Sequence, residues 1–183
     1  GVELAAALEA TLARGGAAYR PLYDTKLPIR EKIEILAKRI YRADGVVARA
    51  GVALYTVGSS KDVPDVRRFV SVDGGMADNI RPAMYGSRYE ALAAARPLAP
   101  AEEKVSIAGK YCESGDVLIR DIDLPRLDAG EVLAIPAAGA YQLAMSSNYN
   151  LAYRPAVVLV DDGAVRVLKR RETAADLMAT DID

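Results

Sequence analysis

The spacing of apolar residues changes near residue 46. Before that point apolar side chains recur at the period of a helix, and they fall on one face of two segments: Leu4, Leu8 and Leu12 in the first, and Ile29, Ile33, Leu36 and Ile40 in the second. Charged residues occupy the other faces of the second segment, which begins near Pro28. This pattern is typical of amphipathic helices and predicts a helical hairpin over residues 1–45.

After residue 51 the chain consists of short apolar or alternating runs separated by turn residues. These runs predict strands over residues 52–57, 68–72, 104–107, 117–119, 132–135, 156–160 and 164–168. Asp162-Gly163 predicts a hairpin between the last two. Short helices are predicted near residues 78–85 and over residues 173–178. The predicted fold class is α+β, with a mainly antiparallel β-barrel or sandwich over residues 46–183.

Composition excludes several classes of function. Hydrophobic residues make up 51% and charged residues 27% of the chain, and the net charge is -1, so no basic field would attract nucleic acid. No apolar run approaches the roughly 20 residues that span a bilayer, and the N-terminus lacks the layout of a signal peptide. We therefore expect a cytoplasmic protein that binds neither nucleic acid nor membrane.

The chain contains no histidine and one cysteine. A Ser-His-Asp or Cys-His mechanism is thereby excluded within it, and a zinc site is not expected because only carboxylates would remain as ligands. We predict no metal site. Acid–base chemistry would depend on Cys, Tyr, Lys or carboxylate side chains.

The single cysteine, Cys112, lies in a turn-forming stretch between two predicted strands. Glu113, Ser114 and Asp116 surround it, and loops between strands commonly present functional groups. A structural role is the alternative, since free cysteine is often a small buried apolar residue and Asp116 would then cap a turn.

Arg81 and Tyr85 form a second candidate group. Their four-residue spacing places both on one face if a helix forms. Alternatively, Arg81 forms a surface ion pair with Asp78 or Glu90. Tyr85 and Tyr141 would then be core aromatic residues whose hydroxyl ends contact water.

Residues 112–116 (Cys-Glu-Ser-Gly-Asp) resemble a motif of diaminopimelate decarboxylase, a pyridoxal-phosphate enzyme of the alanine-racemase-like fold type. Other stretches agree with this family in order and spacing, namely residues 72–76 (Val-Asp-Gly-Gly-Met), 79–86, 139–141, 146–150 and 154–155. The resemblance covers about residue 46 to the end of the chain. It implies the C-terminal domain of such an enzyme, a β-barrel that packs beside a (β/α)8 barrel.

The resemblance also implies roles for particular residues. Cys112 would be the acid that protonates the α-carbon, Glu113 would meet the distal amino group of the substrate, and Arg81 with Tyr85 would hold its distal carboxylate. Tyr141 would line the pocket of the pyridoxal 5'-phosphate cofactor. These residues form the part of the active site, here called the half-site, that the domain lends to a neighbouring subunit. The reaction implied is that of lysine biosynthesis, from meso-diaminopimelate to L-lysine and carbon dioxide, and the implied partner is a second copy or a complementary barrel chain.

The Schiff-base lysine and the phosphate loop of the family have no counterpart in this chain. They belong to the (β/α)8 barrel, which takes about 250 residues. We therefore expect the chain alone to be inactive. The alternative function is a non-catalytic module that uses the β-barrel for dimerisation or binding, and in either case we expect residues 139–149 to expose apolar side chains.

The N-terminal residues resemble a different family. Residues 21–24 (Pro-Leu-Tyr-Asp), 27–34 and 37–41 are similar to a helical segment of formate-tetrahydrofolate ligase. If both resemblances hold, the chain is a chimera joined near residues 45–48. A folate-ligase function is disfavoured because the chain has no Gly-x-x-x-x-Gly-Lys-Ser/Thr phosphate loop.

Overall fold

The computed structural model describes residues 47–182. In that range residues 157–169 belong to one compact unit and the other residues to a second. The predicted N-terminal helical hairpin, its resemblance to the ligase and the predicted boundary at residues 45 and 46 lie outside the described residues.

A six-stranded sheet forms the larger unit and curls into a half-barrel. Its strands, in the order in which they lie side by side, are β3 (Leu92–Ala93), β6 (Val132–Pro136), β1 (Val52–Val63), β2 (Arg67–Val72), β4 (Glu103–Ala108) and β5 (Val117–Leu124). All neighbours are antiparallel except β2 and β4, which run parallel. The predicted fold class, mainly antiparallel sheet with few short helices, is confirmed.

Strand β1 bends the sheet because its two halves have different partners. Its first half pairs with β6, with Leu54 opposite Ala134, and its second half pairs with β2. The register with β2 shifts between Val57 and Ser60, and such irregularities increase the local twist of a strand.

The core lies on the inner face of this sheet. Alternate residues of the central strands point into it, and the most deeply buried are Val70, Val105, Ile107, Leu133 and Ile135. Leu54, by contrast, lies on the outer face and is 64% exposed. Buried residues alternate in β2, with Val70 and Val72. In β4 and β6 both faces are buried, because Ser106 and Ala134 are buried together with their neighbours.

Short helices in the described range include α1 (Arg81–Tyr85), α2 (Gln142–Met145) and α3 (Ala174–Leu177). Residues 47–50 are also helical, and Tyr149–Leu151 form a 3-10 turn. Helix α1 lies in the connection between the parallel strands β2 and β4. Helix α3 begins at Thr173, whose side chain forms a capping box with Asp176. None of the helices in the described range is long and apolar enough to cross a membrane.

The second unit, taken by itself, contains a hairpin of β7 (Val157–Asp161) and β8 (Ala164–Lys169). Both turn residues have left-handed backbone angles, with φ of 45° at Asp162 and 77° at Gly163. These angles match a two-residue turn of type I′, for which Asp-Gly is a preferred sequence. The predicted hairpin is confirmed.

Candidate functional site

Helix α1 carries the first group of predicted site residues. It starts after Asn79, whose Oδ1 accepts a hydrogen bond from the Arg81 backbone N–H at 3.3 Å, and Pro82 occupies its first turn. It ends at Gly86, where φ is 62°, a left-handed conformation that glycine adopts at little cost. One exposed turn of helix thus presents Arg81 and Tyr85.

The Arg81 guanidinium contacts two aromatic rings. Its carbon lies 5.6 Å from the ring centroid of Tyr85 and 4.9 Å from that of Tyr141, both within the range of a cation–π interaction. Tyr85 is one turn away on the same helix, whereas Tyr141 comes from the segment after β6. The structure therefore brings Arg81, Tyr85 and Tyr141 together and orients the cation between two phenols.

The conformation of Tyr141 is unusual for a residue with a side chain. It precedes helix α2 with φ of 65° and ψ of -33°. A non-glycine residue in such a sparsely populated region costs about 1–3 kcal/mol. Strain of this kind is concentrated at functional sites, and here it accompanies the ring's contact with Arg81.

Cys112 and Glu113 lie on the loop between β4 and β5, and both are exposed. Glu113 turns its carboxylate back on the loop, where Oε1 accepts hydrogen bonds from the Ser114 hydroxyl and the Gly115 N–H, each at 3.3 Å. The expectation that Cys112 would be accessible on a loop beside Glu113 is confirmed, and the alternative of a buried core cysteine is wrong.

Helix α1 and the Cys112 loop are neighbours. A Cβ atom built on Gly115 would lie 3.9 Å from the Cβ of Ala83, the middle residue of the helix. Arg81 lies two residues before Ala83 and Tyr85 two residues after it, so both are close to the point where the helix contacts the loop of Cys112 and Glu113.

A second link joins the loop to the segment that precedes the helix. Asp116, which sequence reasoning weighed only as a turn cap, is 3% exposed and accepts hydrogen bonds from the backbone N–H groups of Met76 and Tyr111. The Lys110 N–H also donates to the Gly74 carbonyl at 3.0 Å.

Two carboxyl groups and two phenols near the Cys112 loop have raised pKa values. Burial is the main cause that raises the pKa of Asp78 and of Asp116 above the usual carboxyl range. Burial, together with the charges of these two carboxylates, raises the pKa of Tyr111 to about 12. The pKa of the buried Tyr55 is raised as well, again chiefly by burial.

The segment after α2 closes the site from another side. The Ser147 N–H donates to the Ala77 carbonyl at 2.9 Å, and the ring of Tyr149 packs edge-on against Tyr111, with centroids 5.8 Å apart and planes at 74°. Tyr111 immediately precedes Cys112. Residues 146–150, which the sequence singled out without a role, therefore support the cysteine loop.

Glu172 anchors this segment, although nothing in the sequence marked it. Its carboxylate accepts hydrogen bonds from the Arg154 backbone N–H at 2.8 Å, from the Arg154 guanidinium at 2.9 Å and from Asn148 Nδ2 at 2.6 Å. These contacts lower the pKa of Glu172 to about 2, and the hydrogen bond from the Arg154 backbone N–H is the largest cause. Glu172 was not predicted from the sequence because it lies far along the chain from Asn148 and Arg154.

The apolar exposure expected for residues 139–149 is present in the described chain. Tyr141 and Leu143 are each 43% exposed and Tyr149 is 39% exposed. On the adjoining helix α1, Met84 and Tyr85 are each 60% exposed. Aromatic and long aliphatic side chains therefore surround the candidate site.

Comparisons with known proteins identify the domain. The family model for the C-terminal sheet domain of pyridoxal-dependent decarboxylases matches residues 22–139, more than half of the chain. The diaminopimelate decarboxylase of Bacillus methanolicus is 56% identical over 127 residues, which are 69% of this chain and 29% of that protein. That of Bacillus subtilis (strain 168) is 53% identical over 137 residues, 75% of this chain and 31% of that protein.

Solved structures agree with this assignment. The structure of M. jannaschii diaminopimelate decarboxylase in co-complex with L-lysine superimposes with a TM-score of 0.71 at 35% identity, and covers 89% of this chain and 41% of that one. The chain thus spans about a third of the curated relatives that it matches. By sequence and by structure, it belongs to the pyridoxal-dependent decarboxylases and contains their C-terminal sheet domain.

Proposed function

We propose that this chain supplies the C-terminal half-site of a diaminopimelate decarboxylase, which converts meso-diaminopimelate to L-lysine and carbon dioxide in the cytoplasm. The observation that carries the proposal is the Arg81 guanidinium between Tyr85 and Tyr141, on a helix beside the loop of Cys112 and Glu113. The names of the relatives and the lysine complex of the M. jannaschii enzyme support the choice of substrate.

In this proposal Arg81 and Tyr85 bind the distal carboxylate of the substrate. A guanidinium presents a planar fork of N–H donors that matches a carboxylate. The rings of Tyr85 and Tyr141 both lie near the guanidinium carbon. Glu113, on the adjacent loop, supplies the negative charge that meets the distal ammonium group.

Cys112 is the proposed acid. When carbon dioxide leaves, the α-carbon retains an electron pair, and the thiol gives it a proton and later regains one from solvent. Exposure of Cys112 on the loop permits this exchange.

The residues of the chain fit part of a pyridoxal-phosphate site. Tyr141 offers a phenol ring that is 43% exposed beside the site. Pyridoxal phosphate, when bound, supplies the electron sink that stabilises the carbanion left by decarboxylation. In this proposal Tyr141 lines its pocket, and the Schiff-base lysine comes from a (β/α)8 barrel.

A second copy of the chain, or a complementary barrel chain, is the proposed partner. The exposed apolar and aromatic side chains around the site support this part of the proposal, because patches of that kind usually form interfaces. The same observation favours the second candidate, a dimerisation module without catalysis. Sedimentation at tens of micromolar tests the assembly, and a monodisperse monomer would contradict it.

Complementation separates the two candidate functions. The chain is mixed with pyridoxal phosphate and the (β/α)8 barrel of the Bacillus subtilis relative, and lysine formation is measured. We expect turnover above that of the barrel alone, and Cys112→Ala should lower it roughly 10²- to 10⁴-fold, the usual contribution of a positioned acid.

Val66→Ala is the control, because Val66 is 62% exposed and lies in the turn between β1 and β2, outside the proposed site. It should leave turnover within about threefold of wild type, because exposed loop substitutions usually change little. Association of the mixture without turnover above that of the barrel alone would favour the non-catalytic module. Equal turnover of Cys112→Ala and Val66→Ala would contradict the proposed role of Cys112.

A further inference from the structure

Asp116 is a buried carboxylate to which the proposed reaction gives no task. It is 3% exposed, and transfer of a carboxylate from water to such a place is costly unless hydrogen bonds compensate. Burial indeed raises its pKa, although two backbone bonds oppose the shift. A group retained at such a cost in the middle of the candidate site requires a physical reason.

Each oxygen of this carboxylate holds a different loop. Oδ1 accepts a hydrogen bond from the Met76 N–H at 2.6 Å, and Oδ2 accepts one from the Tyr111 N–H at 2.8 Å. Met76 belongs to the segment that leads into helix α1, and Tyr111 immediately precedes Cys112. One side chain therefore connects the two parts of the chain that carry the predicted acid and the predicted carboxylate-binding cation.

Two glycines enclose the carboxylate. A Cβ atom added to either Gly75 or Gly109 would overlap its oxygens. The two loops thus approach Asp116 so closely that neither can carry a side chain at the point of contact, which restricts the carboxylate to one position.

We propose that Asp116 is a positioning residue that fixes the Cys112 loop relative to helix α1. Asn79 lies between Met76 and Arg81 in the chain and is 1% exposed. Its side-chain oxygen accepts a hydrogen bond from the Arg81 N–H. The distance between the Cys112 thiol and the Arg81 guanidinium therefore depends on both hydrogen bonds of Asp116. The consequence for turnover rests on the proposed function, whereas the coupling of the two loops does not.

The chemistry of the arrangement requires a carboxylate. Both oxygens accept from an N–H group, so an amide of the same shape would direct its own N–H2 group at one of the two donors. Asp116→Asn consequently loses one hydrogen bond and creates a repulsive contact, with almost no change in volume. Asp123→Asn is a matched control, because Asp123 is an exposed residue of strand β5 whose carboxylate lies 3.5 Å from the Lys104 ammonium group.

Native-state hydrogen exchange on the unmodified full chain gives the first test. If one carboxylate holds both loops, the Met76 and Tyr111 amides should open in the same event, with protection factors that agree within about threefold and the same dependence on denaturant. Protection factors that differ more than about tenfold would overturn the proposal. Such a difference would overturn the proposal even if no variant folds. The variants are needed to separate Asp116 from the second link between the loops, the hydrogen bond from the Lys110 N–H to the Gly74 carbonyl.

The variants give the second test. Asp116→Asn should accelerate exchange of both amides by roughly 10- to 100-fold, the loss expected for a buried backbone donor left without its partner, and leave the amides of β1 and β6 unchanged. Modification of Cys112 by an aromatic disulfide reagent should also be several-fold faster, and this reports one site because the chain has one thiol. Asp123→Asn should change neither.

Acceleration of only one loop, or of all amides in the sheet equally, would overturn the positioning role. In the complemented mixture Asp116→Asn should lower kcat and raise KM, since both the acid and the cation move. If the wild-type mixture has no turnover, the proposed function fails, while the exchange experiment still decides the role of Asp116.

Discussion

Gly109→Ala tests how tightly the two loops enclose the Asp116 carboxylate. The added methyl group would overlap both carboxylate oxygens of Asp116. The carboxylate has little room to move, because a Cβ atom on Gly75 would overlap its oxygens as well. The alanine must therefore move Asp116 or one of the loops, and at least one of the hydrogen bonds from Met76 and Tyr111 is lost.

The expected cost follows from two contributions. A buried N–H group left without its acceptor costs about 1–3 kcal/mol, and forcing a methyl group into a filled site costs about 1–3 kcal/mol. Reduced freedom of the unfolded chain returns about 0.4–1 kcal/mol when glycine becomes alanine. We therefore expect a decrease of about 1–6 kcal/mol in the free energy of unfolding, which for a chain of this size lowers Tm by roughly 2–20 °C.

Gly115→Ala provides the control within the same loop. Its Cβ atom would lie 3.7 Å from the Glu113 carboxylate and 3.9 Å from Ala83, which are ordinary van der Waals distances. We expect its stability to stay within about 0.5 kcal/mol of wild type. Urea unfolding of the three proteins, followed by circular dichroism, measures the difference. Equal midpoints for the two variants would refute the close packing around Asp116.

Three further predictions concern other parts of the chain. Ile107→Ala, at a core position with 0% exposure, should lower the free energy of unfolding by about 2–5 kcal/mol in urea; a loss no larger than that of the exposed Val66→Ala would contradict its place in the core. Glu172→Gln should be less stable than wild type above pH 4.5, and the difference should shrink as the pH falls toward 2. The reason is that the pKa of Glu172 is lowered from 4.5 to about 2, so its stabilising charge is lost on protonation in that range. A difference that grew in acid would refute this. Deletion of residues 1–44 should leave a cooperative thermal transition, since the predicted helical hairpin is expected to add little to the core of the sheet; loss of that transition would show that the hairpin is integral.

Most strands were predictable because the core buries their apolar residues. In the described part of the chain, apolar runs and turn signals located every strand longer than two residues, with ends that differ by up to six positions: β1 and β5 extend six and five residues beyond their predicted ends. Strand β3 was not predicted, because Leu92–Ala93 is too short to show a period and lies among alanines. The parallel pairing of β2 with β4 was not predicted either, since a strand's own sequence carries little information about its partner's direction.

The candidate site was predictable where its residues are close in sequence. Arg81 and Tyr85 were placed on one helical face, and the structure brings them together. Asp116 and Glu172 act on backbone groups far away along the chain. Because any amide can serve as their donor, no pattern of residue types identifies such a partnership, and only the fold does.

The parallel pairing of β2 with β4 has a consequence for the order of folding. An antiparallel neighbour can form through a tight turn, but Phe69 meets Ser106 only after the connection between the two strands has been gathered into a closed loop. That connection contains Gly75, Met76 and all of α1. The entropy lost in closing the loop is regained only through contacts between residues distant in sequence, which makes such a step slow. We therefore expect the candidate site to form late, together with the sheet, and the refolding rate of the domain to be limited by the same segment that carries Arg81.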